Sequence, residues 1–107
     1  MTTVIVNPGA CGFEVTIIAE KKSDGKIAIT LDTQCEMVKK MLEEIAVLDK
    51  TAVFVKFDNN PVYRSASKHL KHAACAVPSA ILKALEVEAG LNVAKDVTMA
   101  FAKKHAG

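Results

Sequence analysis

The feature that most constrains the fold of this chain is a β-hairpin predicted around Asp24-Gly25. Apolar and polar side chains alternate over residues 13–20, and again over residues 26–31. Asp-Gly between two alternating runs favours a tight turn, because these residues tolerate the positive φ angles that such turns require. We therefore expect two antiparallel strands, with Ile27 and Ile29 on the core face of the second strand.

The segments around the hairpin predict further strands and helices. A β-branched run over residues 2–7 is typical of a strand. Thr33 followed by Glu36 matches the capping box, so Thr33 is expected to be the N-cap of a helix. Two further helices are expected, from Pro61 to about residue 72 and from Pro78 to about residue 89, and a closing strand over residues 96–102. Residues 51–57 fit either a strand or a buried helical turn.

This order of elements predicts an α+β fold: an antiparallel sheet of three to four strands with helices packed on one face. With 107 residues, half of them apolar, the chain is expected to form one domain over residues 1–107, of which 102–107 are a loose tail. The net charge of +2 is too small to predict a nucleic-acid partner. The chain lacks an apolar run of membrane-spanning length and a signal peptide, so we expect a cytoplasmic protein without a membrane partner.

Three cysteines and one histidine are the side chains best suited to chemistry: Cys11, Cys35, Cys75 and His72. Cysteines in a reducing compartment are usually free or bound to metal. A hairpin returns the chain to its starting end, so Cys11 and Cys35 are expected at the same end of the sheet. A position in the first turn of a helix would favour the thiolate form of Cys35 through the helix dipole. The local pattern leaves open whether Cys75 joins them.

In its order of elements, the chain from about residue 9 to about residue 90 resembles the U-type iron–sulfur scaffold family, IscU and the N-terminal domain of NifU. The likeness lies in Gly9-Ala-Cys11-Gly12, the hairpin, a cysteine that opens a helix, and His72-Ala-Ala-Cys75 before a final amphipathic helix. It implies that Cys11, Cys35 and Cys75, with His72 as a fourth ligand, hold an iron–sulfur cluster or a zinc ion. It also implies sulfur-donor or cluster-acceptor proteins as partners.

The sequence departs from that family in its details. Phe13 stands where the scaffolds carry an aspartate that assists cluster release, and two alanines separate His72 from Cys75 where the scaffolds have the two side by side. The L-P-P-V-K segment that engages a chaperone is absent. The chain is also similar to a group of small uncharacterised prokaryotic proteins that share P-G-x-C-G-F and H-A-A-C-x-V-P. That closer likeness implies no activity.

Three classes of function fit these residues. The first is a metal or iron–sulfur binding protein acting in cluster assembly, transfer or storage, which uses all four side chains. The second is a thiol redox protein or cysteine-nucleophile enzyme, in which Cys35 reacts and Cys11 or Cys75 resolves a disulfide. The third is an interaction module without chemistry, because free cysteine is often only a small buried residue.

Overall fold

The computed structural model describes residues 1–103, and its sheet is built on the predicted hairpin. Four antiparallel strands lie in the order β1-β2-β3-β4 within this part of the chain: β1 Thr2–Val6, β2 Val15–Lys21, β3 Ile27–Thr33 and β4 Val47–Leu48. Gly25 adopts a φ of 88° in the turn between β2 and β3, where its N–H donates to the Lys22 carbonyl at 3.0 Å. The turn chemistry expected of Asp-Gly is therefore present.

Three α-helices and one 3₁₀-helix accompany the sheet over residues 1–103. They are α1 Glu36–Ile45, a 3₁₀-helix Lys50–Phe54, α2 Pro61–His69 and α3 Val77–Glu88. Helix α1 packs on β3, α3 packs on β1 and β2, and α2 packs on α1 and α3. The predicted α+β architecture, with helices on one face of an antiparallel sheet, is confirmed.

The hydrophobic core lies between that sheet face and the helices. Every second residue of β2 and β3 points into it, as the two-residue period of a strand requires. Its most deeply buried side chains, each at most 1% exposed, are Val15, Ile17, Ala19, Ile27, Val38, Met41, Ile45, Val62, Val77, Ile81, Ala84 and Leu85. On the opposite face Ile5 remains 65% exposed. Burial of this one apolar face is what holds the helices to the sheet.

Asn60 connects the 3₁₀-helix to α2 and is 2% exposed. Its Nδ2 donates to the carbonyls of Ala52 and Val55 at 2.8 and 3.0 Å. Its Oδ1 accepts from the backbone N–H of Val62 at 3.0 Å, so Asn60 is also the N-cap of α2, directly before Pro61. The predicted start of this helix is confirmed, and one buried amide fixes both elements.

Of the two alternatives that the sequence left for residues 51–57, the helical turn is the one that forms, over the first half of the run. The 3₁₀-helix ends at Phe54 with Ala52 buried in the core, and the chain from Val55 to Asn59 contains no helix or strand. Phe54 and Phe57 are 73% and 74% exposed, so burial within this run is limited to Ala52 and, in part, Val53. Phe57 packs instead against the ring of Tyr63, with ring centroids 4.9 Å apart.

Helix α1 begins two residues later than the capping-box pattern predicts, and that prediction is wrong. Thr33 is the last residue of β3, paired with Val15, and its Oγ1 accepts from the N–H of Cys35 at 3.1 Å. Cys35 is itself the N-cap, with extended backbone angles, so it does not lie in the first turn of the helix. Strand pairing continues through Thr33 and prevents it from capping, while the Glu36 side chain reaches Lys39 at 3.3 Å.

The predicted ends of the other elements need smaller corrections. Helix α2 ends at His69, where residue 72 was expected, because Leu70 adopts extended angles as its C-cap. Helix α3 starts at Val77, one residue before the predicted Pro78, and Gly90 follows its C-cap at a φ of 76°. Among residues 1–103, no helix is long and apolar enough to cross a membrane.

The predicted closing strand over residues 96–102 is wrong, because no strand forms there. Val97 and Met99, expected to face inward, are 67% and 82% exposed. The alternating pattern is present, but a strand also needs a partner strand with which to pair, and the segment is not among the four paired strands of the sheet. Of the loose tail predicted over residues 102–107, residues 104–107 lie outside the described part of the chain.

Candidate functional site

The two ends of the sheet differ in what they carry. Val6 pairs with Val15, and Val15 pairs with Thr33, so these three residues form one end, here called the open end. The hairpin turn after Lys21 lies at the other end, here called the turn end. Functional side chains commonly lie on loops rather than on helices or strands, so the loops at the open end are candidate positions for a site.

Cys11 lies in the loop that joins β1 to β2 at the open end. The N–H of Gly12 donates to the Gly9 carbonyl at 3.0 Å, which closes a four-residue turn with Cys11 at its third position. Gly9 and Gly12 have φ angles of 82° and 74°. Residues with a Cβ atom rarely adopt such positive φ angles, whereas glycine does so readily. Asn7 Oδ1 accepts from the Gly9 N–H at 3.2 Å and supports the turn. The turn holds Cys11 exposed to solvent.

Cys35 lies at the same end, two residues after the Thr33–Val15 pair. Its backbone is held on both sides: the N–H donates to the Thr33 hydroxyl, and the carbonyl accepts from the Lys39 N–H at 3.0 Å. The side chain is half-buried against the core and makes no capping hydrogen bond to α1. The first backbone N–H groups of α1 therefore have no side-chain acceptor from Cys35.

Cys75 and His72 lie in the loop between α2 and α3. The N–H of Cys75 donates to the His72 carbonyl at 3.2 Å, which brings the two residues into one turn. Cys75 is half-buried and packs against the core, whereas His72 is exposed. The histidine expected at the end of a helix thus belongs to a loop three residues beyond it.

The contacts of Glu88 determine which way α3 runs over the sheet. Its Oε1 accepts from the Thr2 hydroxyl at 2.7 Å and its Oε2 accepts from the Lys21 N–H at 2.9 Å, so the C-terminus of α3 lies at the turn end. The helix has 12 residues and a length of ~18 Å, close to the span of the strands beneath it. Helix α3 packs on both β1 and β2, and the loop carrying Cys75 lies at the end of this helix opposite to the Glu88 contacts.

The structure therefore places the chain segments of Cys11 and Cys35 at one end of the sheet and the Cys75 loop at the start of α3, without a shared metal-ligand cluster. Within residues 1–103, no three side chains of the histidine, cysteine, aspartate and glutamate types lie close enough to hold a metal ion together. Cys35 and Cys75 are attached to the core, and Cys11 is on the exposed turn. Sulfur atoms that share one zinc ion must lie ~4 Å apart, since each bond is ~2.3 Å.

Sequence reasoning missed an ionic cluster between α1 and α2. The carboxylate of Glu44 accepts from the Ser65 hydroxyl at 2.6 Å and from Lys68 Nζ at 3.0 Å, and it lies 2.9 Å from His69 Nε2. The Ser65 hydrogen bond, followed by that of Lys68, lowers the pKa of Glu44 to about 2. The hydroxyl donates to the carboxylate and not to the imidazole, so the cluster lacks the order of a catalytic triad. Its contacts join two helices, and only the spacing of Ser65, Lys68 and His69 on one helix face could have suggested it.

Comparison with known proteins gives a match to a protein family. The sequence model of a family of unknown function, DUF6951, matches residues 2–101. The chain belongs to DUF6951. The match covers every helix and strand described above and extends through the exposed segment that follows α3. No curated protein and no solved structure matches the chain. The resemblance to small uncharacterised proteins is thus consistent with membership of DUF6951, and this membership implies no activity because the function of the family is unknown.

Proposed function

We propose that this protein binds a soft metal ion such as Zn²⁺, or an iron–sulfur cluster, through Cys11, Cys35 and Cys75, with His72 as the fourth ligand. One observation supports the proposal: the β1–β2 turn and the start of α1 lie at the open end, while Glu88 holds the C-terminus of α3 at the turn end, so we expect the loop before α3 to face the open end. Thiolate and imidazole are the donors that zinc and iron–sulfur clusters prefer. The donor set fits such a group.

Binding would require the cysteines to approach one another, and the turn carrying Cys11 is the part best able to move. Cys35 is held by two backbone hydrogen bonds and by core packing, and Cys75 also packs against the core. The Cys11 turn is exposed, and the space around Gly9 and Gly12 is open. Closure of this turn onto the other two cysteines is the movement that we propose for metal binding.

The resemblance to the U-type scaffolds suggests a role in cluster assembly, transfer or storage, with sulfur-donor or cluster-acceptor proteins as partners. Phe13, which is 47% exposed beside the Cys11 turn, replaces the scaffolds' aspartate and supplies no carboxylate to assist release. We therefore favour retention or slow transfer of the bound group over rapid turnover.

The test is metal analysis of anaerobically purified protein, followed by Zn²⁺ titration of the apo chain against a chromophoric chelator. We expect one metal ion or cluster per chain. Serine substitution of Cys11, Cys35 or Cys75 should each weaken Zn²⁺ binding by more than the ~10–100-fold that is lost when a group hydrogen-bonded to a metal ligand is removed. His72→Ala should weaken binding less, and His69→Gln, a change to a histidine held by Glu44 between two helices, should leave it unchanged. Zn²⁺ binding that survives Cys75→Ser intact would contradict the three-thiolate site.

A second candidate is a thiol redox protein or cysteine nucleophile centred on Cys35. The observation in its favour is that Cys35 is the N-cap residue of α1 but its side chain makes no capping hydrogen bond, so the first-turn N–H groups are available to an anionic sulfur. Metal-free protein with one fast-reacting thiol at Cys35 would support this candidate over the metal site. Metal-free protein with three slowly reacting thiols would support an interaction module without chemistry.

A further inference from the structure

The segment that follows α3, residues 91–103, is here called the C-terminal arm. It has the sequence of a strand without the structure of one. Apolar and small or polar residues alternate from Val97 through Met99, and no helix or strand is present over the arm. Val93, Val97 and Met99 are 73%, 67% and 82% exposed. So much apolar surface in one short segment marks a contact that a single copy does not make.

The arm is part of what defines the family rather than an extension peculiar to this chain. The DUF6951 match begins at residue 2 and ends at residue 101, so it includes the alternating run. The molecule measures 50 × 29 × 26 Å, an elongation consistent with an arm that extends from the globule. A shared, exposed, strand-forming segment needs an acceptor.

Strand β1 offers the acceptor. It is the outer strand of the sheet, and Thr2–Val6 contains neither proline nor a charged side chain. Edge strands normally carry proline, charge, a bulge or a cover, because unpaired backbone groups recruit other strands. The opposite edge, β4, is only two residues long and offers little to pair with. Ile5 on β1 is also 65% exposed and would gain cover from an added strand.

The direction of the chain favours an acceptor on another copy. Glu88 holds the end of α3 beside Thr2, so an arm that folded onto its own β1 would start at the Thr2 end and run parallel to it. An arm from a second copy is free to run antiparallel, which extends an antiparallel sheet and is the slightly more stable pairing. The same exchange in the reverse sense closes a two-fold dimer.

We propose that residues 96–101 of each copy add as an antiparallel strand to β1 of a second copy, so that the protein is a dimer with exchanged C-terminal arms. The contact uses main-chain hydrogen bonds along β1 and apolar contacts of Val97 and Met99. None of the proposed metal ligands takes part in this contact, so the proposed dimer does not depend on the proposed metal site.

The test is sedimentation velocity of the full chain over a wide range of concentrations, with two matched variants. Met99→Asp and Val93→Asp each replace one exposed apolar side chain of the arm with one negative charge, but only Met99 lies in the pairing segment. We expect the wild-type chain and Val93→Asp to dimerise alike. Met99→Asp should weaken the dimer about tenfold or more. A wild-type chain that stays monomeric, or a dimer unaffected by Met99→Asp, overturns the proposal.

Complementation distinguishes exchange from other dimers. Proline is introduced into β1 at Val4 and, separately, at Ile5, since successive N–H groups of a strand point to opposite sides and only the outward one is dispensable. The variant that keeps the wild-type circular dichroism spectrum has an intact arm and a blocked acceptor, whereas Met99→Asp has the reverse. At a concentration where each variant alone is monomeric, their mixture should form a heterodimer through the one intact contact between an arm and β1. A mixture that remains monomeric, or hydrogen exchange showing the arm protected in a monomer, contradicts exchange between copies.

Discussion

Glu88 is the side chain whose loss should most weaken the attachment of α3 to the sheet. Its carboxylate accepts from the Thr2 hydroxyl at 2.7 Å and the Lys21 N–H at 2.9 Å, and it lies 3.3 Å from the ammonium group of Met1. Glu88→Gln keeps the size of the side chain and one acceptor oxygen but removes the charge. The amide oxygen can then accept from the Lys21 N–H and the amide nitrogen can donate to the Thr2 hydroxyl, so that both contacts become neutral hydrogen bonds.

The magnitude follows from these contacts. Hydrogen bonds to a charged group contribute ~1.5–3 kcal/mol and neutral ones ~0.5–1.5 kcal/mol, so two bonds that lose their charge cost about 2 kcal/mol. The Glu88 side chain is 11% exposed, so solvent screens it only partly. The Met1 side chain is 57% exposed, and its ion pair adds little. In a domain of this length, each kcal/mol of lost stability lowers the melting temperature by ~4–8 °C.

The effect of Glu88→Gln should also depend on pH in a defined direction. The hydrogen bond from Thr2, then that from Lys21, lowers the pKa of Glu88 below its ordinary value of 4.5. The unfolded chain therefore takes up this proton at a higher pH than the folded chain does. The stabilisation is complete above the unfolded value and is lost as the pH falls through the lower folded value. The difference between wild type and Glu88→Gln should be constant near neutral pH and shrink on acidification.

Urea unfolding from neutral to acidic pH measures these differences. Glu86→Gln is the matched control, because it makes the same charge change on the same helix. Its Oε1 lies 3.4 Å from Asn92 Nδ2 and 3.8 Å from Lys83 Nζ, contacts expected to contribute less than ~0.5 kcal/mol. Equal losses in the two variants, or a Glu88→Gln loss that does not shrink in acid, would refute the role given to Glu88. The orientation of α3 would then lose its main support.

Two further predictions concern buried polar contacts. Asn60→Ser keeps a capping oxygen but loses the donors to the Ala52 and Val55 carbonyls, so urea unfolding should show a loss of ~2 kcal/mol, and Asn60→Ala a further ~1 kcal/mol from the missing cap. Stability of Asn60→Ser equal to that of wild type would contradict the clamp. Ser65→Ala should raise the pKa of Glu44 from about 2, because the Ser65 hydroxyl is the largest cause of its lowering. NMR titration of the carboxyl carbon measures this, and an unchanged pKa would contradict the assignment.

The parts of the fold that the sequence predicted are those that local chemistry determines. The hairpin follows from Asp24-Gly25 and two alternating runs, and Pro61 and Pro78 mark helix starts because a missing N–H costs nothing there. The capping box at Thr33 failed because two local preferences competed. Pairing with Val15 extended the strand through Thr33, and its hydroxyl could then only support the N–H of Cys35.

The features that the sequence could not predict depend on residues far apart in the chain. Glu88 bonds Thr2 across 86 positions and Lys21 across 67, and no spacing rule connects them. The shared end of Cys11 and Cys35 was predictable from the hairpin alone. The direction of Cys75 was not, because it depends on which end of the sheet holds the C-terminus of α3. The arm shows the converse case, a correct strand pattern whose partner is absent from the chain's own sheet.

The proposed metal site can be judged by comparing the cost of closing it with what metal binding provides. Closure rearranges the four residues from Gly9 to Gly12 and releases two exposed hydrogen bonds, one to the Gly9 carbonyl and one to Asn7 Oδ1. Ordering a disordered backbone costs ~1–2 kcal/mol per residue, and this turn is already ordered, so moving its four residues costs less than ~8 kcal/mol. Structural zinc in small domains provides ~10–16 kcal/mol. The net free energy of Zn²⁺ binding therefore remains favourable but is smaller than for a preformed site, and the Zn²⁺ affinity should be lower accordingly. Most of this difference should come from the movement of the Cys11 turn. Hydrogen exchange should then show amides around Cys11 gaining protection when Zn²⁺ binds, while those of Cys35 and Lys39, already hydrogen-bonded to the Thr33 hydroxyl and the Cys35 carbonyl, change little.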